Sequence, residues 1–253
     1  MAESPLAGLR IGAVSYLNTK PLIWTITEPL TLNVPSQLAE SFYAGQLDVA
    51  LLPIFEVLKH GGGAVVDDTA IGCLGEVFSV IVASRGPFAD CGTISLDPAS
   101  RSSAALLRVL AAEFYPHLDI REGSPPGDAA RLMIGDPAIA FHRNLPKEWQ
   151  SQDLGELWLQ HTGLPFVFAV WALQSGLANS SLVAAELRAC KDSGLAARSQ
   201  IAKQSEDPAF ARDYLTRLIR YDIGPAEKEA IALFATLAEK HGLVQTRPQL
   251  TFI

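Results

Sequence analysis

Short apolar stretches alternate with segments of helical spacing along most of this chain. The apolar stretches are rich in β-branched residues and have the length of strands, whereas hydrophobic residues in the intervening segments recur three or four positions apart. This alternation predicts an α/β fold with largely parallel sheets. The predicted strands are 9–17, 30–34, 48–53, 77–84, 93–96, 132–141 and 166–173.

Capping residues predict where several helices begin and end. Ser36 can cap a helix that Gly45 ends, and Pro225 stands at the first position of another. Gly194 is the predicted end of the long helix that follows the last strand. From about residue 179 to 241 the pattern is almost entirely helical.

Two extended apolar segments, EVFSVIVASRGPF and LPFVFAVWALQ, divide the chain into blocks. If the middle block is a separate lobe, these segments are its two connections to the rest. We therefore predict a discontinuous first lobe, residues 1–84 with 170–253, and a second lobe, residues 85–169. Each lobe is expected to be a mostly parallel sheet flanked by helices. A cleft between lobes is a favoured place for a ligand.

Composition narrows the classes of partner. The 253 residues carry a formal net charge of −7 and no basic stretch, which argues against a nucleic-acid binder but not against an anionic small molecule. No uncharged apolar run reaches the roughly 18 residues of a membrane helix. The N-terminus lacks the pattern of a signal peptide, which predicts a cytoplasmic protein. The sequence leaves the choice between monomer and homodimer open.

Motifs for cofactors and metals are missing from the sequence. The five histidines have no paired ligand spacing and the three cysteines form no C-x-x-C pair. There is no G-x-G-x-x-G after a strand and no G-x-x-x-x-G-K-[ST]. We therefore expect no metal site and no bound cofactor.

The stretch DPASRSSAALL is a candidate anion site. A predicted strand runs into Ser100, Arg101, Ser102 and Ser103, which precede a predicted helix. The start of a helix offers unpaired N–H groups and the positive end of its dipole, so it can hold a carboxylate. The alternative is that one serine caps the helix and the others face solvent. The helix start at Ser36 is a signal of the same kind.

A second candidate is the N-terminal stretch IGAVSYLNTKPL, where a strand ends in Ser15, Tyr16 and Asn18. The neutral amide of Asn18 has both donors and an acceptor, which suits a pocket that orients a ligand. The alternative is an Asx turn that leads to a proline. Ser79 interrupts an apolar segment, and its buried hydroxyl needs a partner in the backbone or a ligand. Asp136 follows a strand-like run and either forms a turn or faces the cleft.

Six stretches together resemble the chorismate dehydratases of the futalosine route to menaquinone. They stand in the family's order: RIGAVSYLNTKPL, SQLAESFYAGQLDVALLPIFEVL, FSVIVASRGPF, ISLDPASRSSAALLRVL, MIGDPAIAF and DLGELWLQHTGLPFVFAVWA. The related cyclic dehypoxanthine futalosine synthase resembles S-P-C-P-N-D at its N-terminus, so the Y-L-N of this chain favours the dehydratase. Lys20 departs from the pattern, which has an apolar or small residue there.

The resemblance implies a fold like that of the type II periplasmic binding proteins. It also implies a reaction in which chorismate, a dianion, loses water to give 3-[(1-carboxyvinyl)oxy]benzoate. No cofactor takes part in that reaction. In this hypothesis Asn18 is the catalytic residue. The helix start at 100–103 holds the ring carboxylate, and Ser36 and Ser79 line the opposite wall. The substrate's own side-chain carboxylate takes the proton. Two alternatives stay open: a binding protein for a small anion, and the related synthase.

Overall fold

The chain folds into two five-stranded sheets with helices packed around them. The description comes from a computed structural model and covers residues 4–61, 63–123, 130–246 and 249–253. The strands are β1 (Ile11–Val14), β2 (Leu30–Asn33), β3 (Val49–Pro53), β4 (Ala64–Cys73), β5 (Val80–Ser84), β6 (Thr93–Ser95), β7 (Asp119–Arg121), β8 (Ala130–Ile134), β9 (Gln150–Asp153) and β10 (Phe166–Leu173).

Helices connect most of these strands, and the last quarter of the chain is helical. The α-helices are α1 (Lys20–Ile23), α2 (Pro35–Tyr43), α3 (Ile54–His60), α4 (Ser102–Phe114), α5 (Gly135–Arg143), α6 (Leu154–Thr162), α7 (Ser180–Ala196), α8 (Arg198–Ala202), α9 (Pro208–Asp213) and α10 (Pro225–Lys240). Single 3₁₀ turns lie at Leu17–Thr19 and Phe88–Asp90, and the segment Tyr214–Leu218 is π-helical.

The strand order defines the two lobes. The first sheet runs β2-β1-β3-β10-β4 and the second runs β7-β6-β8-β5-β9. Strand β5 lies in the second sheet and β10 in the first, so the chain crosses between lobes after β4 and before β10. The limits predicted from the sequence, 1–84 with 170–253 and 85–169, stay a prediction. The α/β architecture of two lobes is confirmed.

Each sheet combines parallel and antiparallel pairings. Strand β1 is parallel to β2 and β3, and β6 is parallel to β7 and β8. In contrast, β10 is antiparallel to β3 and β4, and β5 is antiparallel to β8 and β9. The antiparallel pairings therefore all involve β5 or β10, the strands next to the crossings.

An aromatic cluster joins the C-terminal helix to both lobes. Phe234 on α10 lies with its ring centroid 5.0 Å from that of Phe166 on β10 and 6.2 Å from that of Trp158 on α6. All three side chains are fully buried. Burial of such rings is worth about 2–3 kcal/mol each, so α10 is a fixed part of the core.

A single carboxylate holds the first crossing in place. One oxygen of Asp153 accepts hydrogen bonds from the N–H groups of Val77 (3.1 Å) and Phe78 (2.7 Å), and the other caps α6 at Gly155 (2.8 Å) and Glu156 (3.2 Å). Phe78 has a φ of +65°, which is unfavourable for a residue with a side chain. The two hydrogen bonds to Val77 and Phe78 therefore fix a strained backbone next to Ser79, and the other two anchor the carboxylate at the start of α6. Burial raises the pKa of Asp153 to about 7, although the four N–H donors act to lower this pKa.

The structure confirms some predicted helix limits and corrects others. Gly45 follows α2 with a φ of +70°, and Pro225 is the first residue of α10. Ser36 does not cap α2, because the helix begins one residue earlier, at Pro35. Gly194 does not end α7. A Cβ there would lie 1.7 Å from the carbonyl oxygen of Pro21, so this glycine allows two chain segments to approach closely.

The stretch predicted as a strand over 132–141 is mostly helix. Strand β8 ends at Ile134, and Gly135, with a φ of +64°, begins α5. The positive φ turns the chain at the end of the strand, which the apolar run alone did not indicate. Among the described residues, no helix is both long and apolar enough to cross a membrane.

Candidate active site

A cleft of about 70 Å³ lies between the two sheets. Its wall is mostly apolar, with a small number of polar groups. The lining residues are Val14, Tyr16, Asn18, Pro35, Pro53, Ile71, Val77, Ser79, Val80, Ser100, Arg101, Ser102, Ser103, Ile134, Gly135, Phe168 and Ala169. Both sequence candidates therefore reach one cavity: the segment after β1 and the start of α4.

Asn18 lies on the 3₁₀ turn that follows β1. The turn is fixed across the cleft, because the N–H of Leu17 donates to Asp136 at 3.0 Å. The backbone carbonyl of Asn18 accepts from the hydroxyl of Tyr221 at 2.9 Å. These contacts hold the backbone of Asn18, while its side chain lies in the cleft wall.

The start of α4 combines free backbone donors with serine hydroxyls. Ser100 Oγ accepts from the N–H of Ala104 at 3.1 Å, and Ser102 Oγ donates to the carbonyl of Phe168 at 2.8 Å. Both hydroxyls thus serve the fold. Ser102 and Ser103 are the first two residues of α4, a helix of 13 residues. Their N–H groups therefore have no carbonyl acceptor within the helix. These N–H groups and the hydroxyl protons of Ser100 and Ser103 are the donors left for a ligand.

Arg101 carries the one full positive charge among the described residues of the lining. Its guanidinium pairs with Glu56 and Glu40, each at 3.3 Å. Arg101 also borders a second, broader cavity of about 550 Å³, which shares Ser100 with the cleft. The arginine therefore stands between the cleft and the broader cavity.

Ser79 has a partner that the sequence did not reveal. Its hydroxyl accepts from the Tyr214 hydroxyl at 2.8 Å, and both residues are fully buried. Burial raises the pKa of Tyr214, and its hydrogen bond with Ser79 partly offsets that effect. Tyr214 begins the π-helical segment, and such segments are frequent at functional sites. No local pattern could have found this residue, because 135 positions separate it from Ser79.

Tyr16 closes the cleft against the second lobe. Gly135 lies so close to it that a Cβ on the glycine would be 2.6 Å from the ring of Tyr16. Burial, together with the charges of Asp97 and Asp136, raises the pKa of Tyr16 to about 12. The phenol therefore stays protonated and can donate a hydrogen bond at neutral pH.

Three predicted site residues lie outside the lining of the cleft. Ser15 is exposed. Ser36 lines the broader cavity instead, and its N–H donates to Ala99 across the lobes at 3.3 Å. Asp136 lies at the cleft's edge, where partial burial raises its pKa while the Leu17 N–H and the charge of Lys20 lower it. The predicted role of Ser36 on the cleft wall opposite α4 thus has no support in the geometry.

Among the residues that the structure describes, no three histidine, cysteine or acidic side chains are grouped as ligands for a metal ion. The polar groups of the cleft are amide, hydroxyl and backbone donors together with Arg101. Such a set suits a small anion that is held in one orientation.

Comparison with known proteins gives the family. A solved structure of a protein from Archaeoglobus fulgidus has a TM-score of 0.74 at 13% identity, covering 93% of this chain and 98% of that one. The periplasmic aliphatic sulphonate-binding protein of Escherichia coli has a TM-score of 0.64 at 17% identity, covering 95% and 94%. These likenesses show the fold, which is that of periplasmic binding proteins.

Sequence comparison identifies a relative and the family. A chorismate dehydratase of Thermus thermophilus is 29% identical over 227 residues, covering 80% of this chain and 83% of the relative. The model of the menaquinone biosynthesis family matches residues 9–240. That match spans both lobes and the C-terminal helices, and the chain belongs to the menaquinone biosynthesis family.

Proposed function

We propose that this protein is a chorismate dehydratase, which removes water from chorismate to give 3-[(1-carboxyvinyl)oxy]benzoate. The observation that carries the proposal is the 29% identity to a chorismate dehydratase across four fifths of the chain. The cleft supports it, because Asn18 and the start of α4 line the same cavity. A cytoplasmic location and the two lobe limits remain predictions.

The reaction needs little chemistry from the protein. Chorismate has an acidic C3–H and a hydroxyl leaving group at C4, and loss of both makes the ring aromatic. The protein mainly has to hold one conformer, exclude water and stabilise charge near the leaving oxygen. A cleft that is mostly apolar, with a few fixed donors, meets these requirements.

The start of α4 is the proposed site for the ring carboxylate. The N–H groups of Ser102 and Ser103 and the hydroxyl of Ser103 can donate to it, and the helix dipole adds favourable charge. Arg101 lies next to them and is held at 3.3 Å by Glu56, a residue that is almost fully buried. The helix N–H groups place partial positive charge at one end of the cleft, where a dianion needs it, whereas Glu56 and Glu40 offset the charge of Arg101.

Asn18 faces the reacting end of the substrate in this proposal. Its amide orients the leaving hydroxyl or the side-chain carboxylate without changing charge. The substrate's own side-chain carboxylate takes the C3 proton. Asp136 is the alternative base, but its carboxylate accepts the N–H of Leu17 and lies at the edge of the cleft. Geometry therefore favours the substrate carboxylate over Asp136.

Incubation with chorismate tests the proposal directly. We expect an aromatic product, seen by ultraviolet absorbance, with a mass lower by one water. Unchanged chorismate with a raised melting temperature would instead indicate a binding protein for a small anion. No turnover and no thermal shift would favour the related synthase or another ligand.

Two variants separate the roles of the side chains. We expect Asn18→Ala to lower turnover of chorismate by about 10²-fold, because an orienting amide is lost. Asp136→Asn keeps an acceptor for the Leu17 N–H and should retain most of the activity. If only Asp136→Asn abolishes turnover, Asp136 is the base and the substrate-carboxylate mechanism is wrong.

A further inference from the structure

Arg101 stands at the boundary between the cleft and the broader cavity, and each edge of its guanidinium has a different partner. Its Nη1 donates to the backbone carbonyls of Pro98 and Ser100, at 3.4 and 3.3 Å. Its Nε lies 3.3 Å from a carboxylate oxygen of Glu56, and its Nη2 donates to Glu40 at 3.3 Å. The two ion pairs are therefore equal in distance.

Burial distinguishes the two glutamates. The side chain of Glu56 is 7% exposed, and that of Glu40 is 72% exposed. Separation of a buried ion pair leaves a charge uncompensated away from water, which is strongly unfavourable. An exposed pair is worth little, because water replaces either partner at low cost. The contact with Glu56 therefore persists, whereas a second carboxylate can take the place of Glu40.

Glu56 is itself held by its surroundings. Its other carboxylate oxygen lies 3.2 Å from Nε2 of His60, whose ring packs against that of Tyr43 with centroids 4.4 Å apart. The hydroxyl of Tyr43 donates to the backbone carbonyl of Glu56 at 3.1 Å. One residue earlier in α3, the N–H of Phe55 donates to Ser102 Oγ at 3.2 Å. The start of α3 is thus fixed against the start of α4, and the buried carboxylate has a fixed position.

We propose that Glu56 is a positioning residue, which holds the guanidinium of Arg101 at the cleft so that its Nη2 edge exchanges Glu40 for a carboxylate of the substrate. The inference rests on the proposed function, because chorismate supplies that carboxylate. The N–H groups of an arginine lie in one plane, so an anchor at Nε also fixes the direction of the Nη2 edge.

Two matched variants separate positioning from charge. Glu56→Gln and Glu40→Gln each remove one negative charge near Arg101 and keep the volume of the side chain. Loss of a negative charge next to the site of a dianion lowers KM for chorismate if charge alone matters. Glu56→Gln also releases the guanidinium from its buried partner, which weakens its contact with the substrate. Positioning and charge therefore predict opposite changes in KM for this variant.

We expect Glu56→Gln to raise KM for chorismate about tenfold, as for one lost charge-assisted hydrogen bond, while kcat changes less than twofold. Glu40→Gln keeps the buried anchor and should not raise KM. KM does not depend on the folded fraction, so a less stable variant still gives a valid comparison. A KM of Glu56→Gln at or below the wild-type value, or an equal rise in both variants, would overturn the proposal.

A measurement without turnover keeps this inference apart from the proposed function. The ¹⁵N–¹H signal of the Arg101 Nε–H, identified by its loss in Arg101→Lys, should shift more in Glu56→Gln than in Glu40→Gln. An equal or smaller shift would overturn the positioning role. Wild-type protein that binds chorismate without converting it, with a raised dissociation constant in Glu56→Gln, would overturn the proposed function alone. No binding of chorismate would overturn both.

Discussion

The contact between Gly135 and Tyr16 joins the two lobes at the cleft, and Gly135→Ala tests how much the site depends on it. A Cβ at Gly135 would lie 2.6 Å from two ring atoms of Tyr16, whereas ordinary contact begins at 3.4 Å. The ring must therefore retreat by about 0.8 Å. Gly135 also has a φ of +64°, a conformation that costs alanine about 1–2 kcal/mol.

These effects add up to a measurable loss of stability and activity. Moving the ring of Tyr16 from its preferred rotamer costs about 1 kcal/mol more, so the free energy of unfolding should fall by about 2–3 kcal/mol. Because Tyr16 lines the cleft, its displacement should lower kcat/KM for chorismate by up to about 10²-fold. Urea unfolding followed by circular dichroism gives the first quantity, and initial rates give the second.

Gly163→Ala is the matched control. Gly163 has a φ of +71°, and a Cβ there would meet no atom within 4 Å. This variant therefore shares the backbone strain of Gly135→Ala without the clash. It should lose only about 1–2 kcal/mol and keep its kcat/KM. Equal losses of stability in both variants, with full activity in Gly135→Ala, would refute the argument that the lobes meet through Tyr16.

Three further predictions concern other residues. Asp153→Ala leaves four backbone N–H groups without their acceptor. In urea titrations it should lower the free energy of unfolding by about 4 kcal/mol. A loss below about 1 kcal/mol would contradict the conclusion that Asp153 fixes the crossing segment. Gly194→Ala would place a Cβ 1.7 Å from the carbonyl oxygen of Pro21, so we expect a loss of about 3 kcal/mol or more, and a neutral result would refute the close approach of α7 to α1. The raised pKa of Asp136 means that its proton is held more tightly in the folded state, so its contribution to stability falls as the pH rises above about 4. The stability of Asp136→Asn relative to wild type should therefore increase between pH 4 and pH 7, and unfolding curves at both pH values would show whether it does.

Part of the candidate site could be predicted from the sequence because its groups are local. Asn18 follows an apolar strand, and Ser100 to Ser103 precede a helix, so each segment reveals its own donors. The family resemblance then places both segments at one site. Their joint presence in the cleft agrees with that expectation, although the roles of the side chains remain a proposal.

Other site residues could not be predicted because their roles depend on distant neighbours. Tyr214 looks like one more aromatic residue on a helical face, and only the fold brings its hydroxyl to Ser79. Gly135 sits in an apolar run with the appearance of a strand, and its contact with Tyr16 comes from another lobe. Ser36 has the local signal of an anion site but faces the broader cavity.

The sequence by itself determined the α/β alternation, the end of one helix at Gly45 and the start of another at Pro225. It also determined the two segments that carry the main hydrogen-bond donors. All of these follow from backbone propensity and the period of the hydrophobic residues. The tertiary structure decided which donors remain free and which are used by the fold. It also decided that Gly194 serves a close contact rather than a helix end. Hydrogen-bond partners and steric contacts between residues far apart in the chain exist only once the lobes have packed, so no local pattern can specify them.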